Sequence, residues 1–227
     1  MKVGQSVTKI NGFPLMNFQC CDHEPNFTGV SAAYKRALWA VIAINGSMFV
    51  VEMAGGVLAG SQALQADALD FFGDTVTYAL SLYVIGMPLI WRTRAALFKG
   101  LSLGAMGLWV LGSTAYQFLV LGVPKAEVMG MIAFLALIAN LASVLLLMKY
   151  RDGDANVRSV WLCSRNDAIG NVAVMLAASG VWLSQTAWPD LIVAGIMAGL
   201  FFWSSTQIIR QALHERQHAE SHLIVDK

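Results

Sequence analysis

Asp67, Asp70 and Asp74 stand in a stretch that is otherwise apolar and long enough to cross a lipid bilayer. Steps of three and four residues put them on one stripe of a helix. An ionisable group at membrane depth costs about 3 kcal/mol on insertion scales, so three in one segment require a purpose. Ionised and dry, they would repel one another. They are tolerable if they share protons, face water or surround a cation. Polar packing between helices and a wet vestibule are the plainer alternatives.

A second segment reads Cys163-Ser-Arg-Asn-Asp167-Ala-Ile-Gly-Asn171. Cys163 and Asp167 are four apart and share a helix face, which Asn171 continues one turn deeper. A lone cysteine in an apolar helix is usually a small buried hydrophobe. With a carboxylate one turn away it gains a second reading. Two carboxylates from one helix, with a thiolate and a carboxylate from another, make a four-ligand set. Zinc takes such sulfur and oxygen ligands tetrahedrally, and thiolate biases a site toward soft metals. Arg165 points elsewhere on the helix and is expected to snorkel to the headgroups. Asn45 and Glu52 share a stripe in an earlier segment, and Asn140 lies in a later one. The amides suit interhelical hydrogen bonds. Glu52 is either a protonated packing acid or part of an ion path.

All four histidines lie outside the apolar segments. His214, His218 and His222 recur every four residues, so a continuing helix would align them as a weak divalent-ion stripe. His23 follows Cys20-Cys21-Asp22, and reduced cytosolic thiols would suit metal capture. Each cluster could equally be a solvated face or an incidental polar arm.

The elements that must position these groups follow from composition. The 227 residues are 57% hydrophobic and 13% charged, and the mean hydropathy is +0.60. An average soluble domain is about 25% charged. A net charge of +1 gives no basic field for nucleic acid. Three cysteines cannot build a disulfide framework. The expected class is an all-α membrane protein. Six segments approach the roughly 20 apolar residues a span needs: Ala37–Gly60, Ala63–Trp91, Gly100–Val123, Val128–Met148, Val160–Ser184 and Leu191–Ile209. Thirteen of the fifteen basic residues, Lys99 among them, fall on one side of that arrangement; Lys125 falls on the other and Arg165 inside. Both termini are therefore expected in the cytoplasm. No cleavable signal is visible. The expected layout is a cytoplasmic arm over 1–36, a six-helix transmembrane domain over 37–210 and a short His-containing cytoplasmic tail over 211–227.

At these residues the chain resembles the cation diffusion facilitators, six-helix exporters of divalent metals. Glu52-Met-Ala-Gly-Gly-Val-Leu-Ala-Gly-Ser61, running on to Asp67-Ala-Leu-Asp70-Phe-Phe-Gly-Asp74, is similar to the family's first helix end, Gly-Ser turn and His/Asp-x-x-x-Asp pair. The resemblance implies that Asp70 and Asp74 are metal ligands and that Asp67 holds an accessory acidic position. Asp167-Ala-Ile-Gly-Asn-Val-Ala-Val resembles the family's Asp-Ala-Leu-Gly-Ser-Val-Gly-Val, with Cys163 where the family ordinarily has His. That exchange makes zinc and cadmium easier to accommodate than manganese. Asn140-Leu-Ala-Ser and Trp188-Pro-Asp190 also look like the family. Many members continue into a cytoplasmic ferredoxin-like domain. About 14 residues follow Leu213 here, so a short member without it is expected, which leaves homodimerisation open.

The resulting expectation is efflux of zinc or cadmium in exchange for protons by alternating access, from a bacterial inner membrane, with lipid as surroundings and no resident cofactor. Two rivals stand beside it. Asp67-x-x-Asp70-x-x-x-Asp74 also matches the aspartate-rich motif of membrane prenyltransferases, which bind magnesium diphosphate. Cysteine is a poor magnesium ligand, however, and no basic residue is evident near the motif for a diphosphate. The other rival is a passive channel or scaffold subunit whose carboxylates merely line water.

Overall fold

The computed structural model describes residues 32–83, 89–120, 122–148 and 155–225. They form six helices: α1 (Ala32–Ala59), α2 (Gln62–Tyr83), α3 (Leu89–Val120), α4 (Ala126–Met148), α5 (Ala155–Ser184) and α6 (Trp188–Val225). Five are long and apolar enough to cross a membrane; α2 is the exception, and it is the helix that carries the three aspartates. The chain is a multi-pass integral membrane protein, and Trp39, Trp109, Trp182 and Trp203 are exposed on its outer surface, as lipid contact requires.

The helices sort into two groups. Helices α1, α2, α4 and α5 form one, with α1 packed on α2 and α4, and α4 on α5. Helices α3 and α6 form the other, the most intimate pair in the molecule. Small residues explain that intimacy. A Cβ on Gly100 would lie 2.7 Å from Ile209 Cγ1, and one on Gly104 3.0 Å from Ser205 Oγ. Ser205 Oγ also donates to the Gly100 carbonyl at 2.7 Å. Without a hydrophobic force between helices in lipid, such close backbone approach and a buried hydroxyl bond hold the pair together. Between the two groups α2 touches α3 and α6, and α6 touches α5.

At one end of the bundle the chain turns sharply. Gly60 adopts φ +68° after α1, and the Ser61 N–H donates back to the Gly56 carbonyl at 2.9 Å. This left-handed C-cap ends the helix where only glycine is unstrained. Ser61 then caps α2, its Oγ accepting from the Leu64 N–H at 3.1 Å. The Lys125 N–H donates to the Ala59 carbonyl at 2.8 Å, and Gln117 Nε2 donates to Gly60 and Gly122. Phe118 meets Trp188 edge-on at 5.4 Å. Three connections are thus tied into one closed cap.

Two boundaries differ from the sequence expectation. That expectation carries the second span through Trp91, whereas α2 runs Gln62–Tyr83 and Trp91 lies in the first turn of α3. Residues 84–88, between the two helices, lie outside the described residues. Trp91 instead stacks under Arg94, whose guanidinium carbon lies 5.3 Å from the ring centre. Likewise α3 begins at Leu89, not Gly100, so Arg92, Arg94 and Lys99 are helical residues.

Candidate functional site

A cavity of about 320 Å³ lies between α2, α3, α5 and α6, where the two helix groups meet. Asp70 and Asp74 from α2 and Asp167 from α5 line it, together with Lys99 from α3. The rest is largely apolar, chiefly from α6, with Ile196, Leu200 and Phe201 among the walls. Helix periodicity accounts for the convergence. Asp70 and Asp74 are one turn apart on the α2 face toward α5, and Asp167 comes from the facing helix.

Asp74 is approached from three helices, by Tyr78 of α2, Lys99 of α3 and Asp167 of α5. It lies at hydrogen-bonding distance from Asp167, and the Lys99 charge acts on it. Tyr78 Oη donates to its Oδ2 at 2.5 Å. Two carboxyl groups that close must hold a proton or a cation between them. Tyr78 belongs to a buried cluster with Tyr34, Leu38 and Leu147, so this bond ties the cavity to the packed core. Among the described residues no three His, Cys, Asp or Glu side chains already close on a common centre. The acids share a cavity rather than a preformed cage.

Asp67, on the same α2 stripe, has a different environment. It is buried and lies against Glu52 of α1. Among the described residues, both Glu52 oxygens and Asp67 Oδ2 find no hydrogen-bond partner beyond this carboxyl pair. Asp67 Oδ1 lies 4.0 Å from where a Cβ on Gly170 would stand, and Gly170 itself lines the cavity. The Glu52–Asp67 pair thus sits behind the cavity wall and contributes no lining.

Other expected residues are placed less fully. Cys163 lies on α5, one turn from Asp167, but its side chain is outside the described residues. Asn171 is buried, and Arg165 is exposed on α5. His214 is exposed on α6; that helix continues through His218 and His222 to Val225, although those two side chains are outside the described residues. Cys20, Cys21 and His23 lie outside the described residues altogether.

Sequence reasoning missed two functional neighbours. Tyr78 carried a readable signal, since it stands four residues after Asp74 on the same helix. Lys99 carried none, because it was counted among the basic residues at a helix start. Its place in the cavity also overturns one argument against the diphosphate enzyme, that no base stands near the aspartates.

One more carboxylate is buried, at the closed cap. Asp190, at the start of α6, accepts from Ser61 Oγ at 2.6 Å, from the Gln62 N–H at 2.8 Å and from the Ala63 N–H at 3.1 Å. It caps α2 from another helix and joins the two helix groups.

A multi-pass bundle with an acid-lined cavity between two helix groups has the architecture of a membrane domain that can admit a cation. The sequence agrees: residues 91–215 match the cation efflux transmembrane domain, and the chain belongs to that family. It is 30% identical over 189 residues to the metal cation efflux system protein CzcD of Cupriavidus metallidurans, covering 77% of this chain and 59% of that protein. It is 30% identical over 200 residues to the zinc transporter ZitB of Yersinia pestis, covering 80% and 62%. It is 25% identical over 196 residues to the cadmium, cobalt and zinc/H(+)-K(+) antiporter of Bacillus subtilis, covering 79% and 62%. The chain therefore spans about three-fifths of the length of these relatives.

Proposed function

We propose that the protein exports a divalent metal, zinc or cadmium, in exchange for protons. The observation that carries this reading is the meeting of Asp70, Asp74 and Asp167 in one cavity between the two helix groups. Cys163, one turn from Asp167 on α5, supplies the fourth ligand in this reading. The thiolate is what favours a soft ion over magnesium. Asp67, placed behind the wall with Glu52, is not a direct ligand.

Metal binding needs deprotonated ligands, so cargo and protons compete for the same oxygens. With no metal bound, the Asp74–Asp167 contact is held by a proton. A divalent ion displaces it, and protons arriving from the far side later displace the ion. Access alternates as the α3–α6 pair and the four-helix group rock against each other about the cavity. The distribution of basic residues supports cytoplasmic termini and metal entry from that side, and in this reading the membrane is a bacterial inner membrane. His214, His218 and His222 would stand on that side as weak collectors of cargo, as would Cys20, Cys21 and His23.

The names of the relatives support the metal class: one is called a zinc transporter, another a cadmium, cobalt and zinc antiporter. The test is zinc and cadmium flux into proteoliposomes under an imposed pH gradient. Wild type should show gradient-dependent flux that Asp70→Ala and Asp74→Ala abolish with protein still inserted. Flux indifferent to the gradient would favour a channel. Wild-type flux in either variant would overturn the site.

A further inference from the structure

Lys99 is the cavity residue that a cation transporter has least reason to carry. It lines the same 320 Å³ as Asp70, Asp74 and Asp167, and its charge acts on Asp74. Its position is held firmly. The next residue, Gly100, is wedged on Ile209, and the Gly100 carbonyl accepts the Ser205 hydroxyl at 2.7 Å. Helix α3 therefore cannot turn to carry Lys99 out of the cavity without breaking its packing on α6 at Gly100.

Charge arithmetic indicates what an ammonium does there. The three ionised carboxylates alone sum to −3 and Lys99 brings them to −2, the charge that one divalent ion neutralises; a Cys163 thiolate bound to that ion adds one further negative charge. In a largely apolar cavity an uncompensated carboxylate is costly, and an opposite charge stabilises it. We infer that Lys99 is a resident counter-cation of the transport cavity, which occupies the carboxylate field when cargo is absent and yields to a divalent ion. This inference rests on the metal-transport reading above.

Two consequences follow from electrostatics. A fixed positive charge lowers the affinity for cargo, which keeps a carboxylate cavity from becoming a trap and speeds release. It also discriminates by charge. A monovalent ion must displace an ammonium of equal charge that is tethered at high effective concentration, and gains nothing. A divalent ion brings twice the charge and prevails. Lys99 is thus a specificity-determining residue that excludes sodium and potassium and need not ligate metal itself.

The test is equilibrium cadmium binding and proteoliposome flux for wild type, Lys99→Met, Lys99→Gln and Lys99→Arg. The two neutral variants should bind cadmium about tenfold more tightly or better, as removal of one nearby repulsive charge predicts. Their half-saturating concentration and their maximal flux should both fall. About 0.15 M potassium should weaken cadmium binding in the neutral variants but scarcely in wild type or Lys99→Arg. Folded neutral variants that bind as wild type does, or more weakly, with no new potassium sensitivity, would overturn the inference and leave the transport reading standing. Wild type that binds neither cadmium nor zinc would overturn both.

Discussion

Asp74 and Asp190 are both carboxylates set between helices of one bundle, yet their surroundings are opposite. Asp190 meets a hydroxyl and two backbone N–H groups, all donors. Asp74 meets one hydroxyl, a second carboxyl group and a lysine. An acid surrounded by donors is complete, and its task is to hold α6 on the first turn of α2. An acid facing another acid is incomplete, and needs a proton or a metal ion to settle it. Glu52 and Asp67 are a third case, two buried carboxyl groups hydrogen-bonded to each other away from the cavity lining. Burial alone does not distinguish architecture from chemistry; the identity of the partners does.

Substitution at the two aspartates should separate these roles most widely. Asp74→Asn keeps the shape and loses the charge, so metal flux should fall about 100-fold or more, the scale for losing a charged ligand, with thermal stability little changed. Asp190→Ala should do the reverse. Losing charge-assisted bonds at a helix N-terminus should cost about 2 kcal/mol, seen as a lower melting temperature in detergent, while the folded fraction binds cadmium normally. Equal effects of the two variants on flux would erase the distinction.

A change outside both sites sharpens the picture. Gly100→Val would place a branched side chain against Ile209 and should cost about 1–3 kcal/mol by overpacking. Because it parts α3 from α6 beside Lys99, cadmium affinity should shift as well, which titration of the folded variant would detect. The pH dependence of cadmium binding should be steeper than that of a simple carboxylate site. Competition for shared oxygens predicts affinity that falls as pH is lowered, with about one to two protons released per ion on titration in weak buffer. The smallest effect belongs to Tyr78→Phe. It removes one hydroxyl donor from Asp74 and should change cadmium affinity by about tenfold or less, the scale of a single hydrogen bond.

The membrane class and the number of helices were legible from apolar run length, because the bilayer thickness sets that length. The boundary between α2 and α3 was not. Run length counts hydropathy and does not say where one helix gives way to the next. The cavity acids were legible from three- and four-residue spacing within α2 and from a carboxylate of matching depth in α5. Spacing within one helix says nothing of which neighbour lies opposite, so the division of one aspartate stripe between Glu52 and the cavity was hidden. Lys99 was hidden for the same reason, since only packing of α3 on α6 turns a basic residue near a helix start into a cavity wall. Ser61 and Asp190 were each noticed as motif residues. Their bond joins positions 129 residues apart, and only the fold brings them together.

The most direct test of the central claim is the position of bound cargo in cadmium-loaded crystals, read from anomalous diffraction. The peak should stand in the cavity within ligand distance of Asp74 and Asp167, with none at Asp190. A cavity without cadmium in crystals that hold it only at His214, His218 and His222 would contradict the claim.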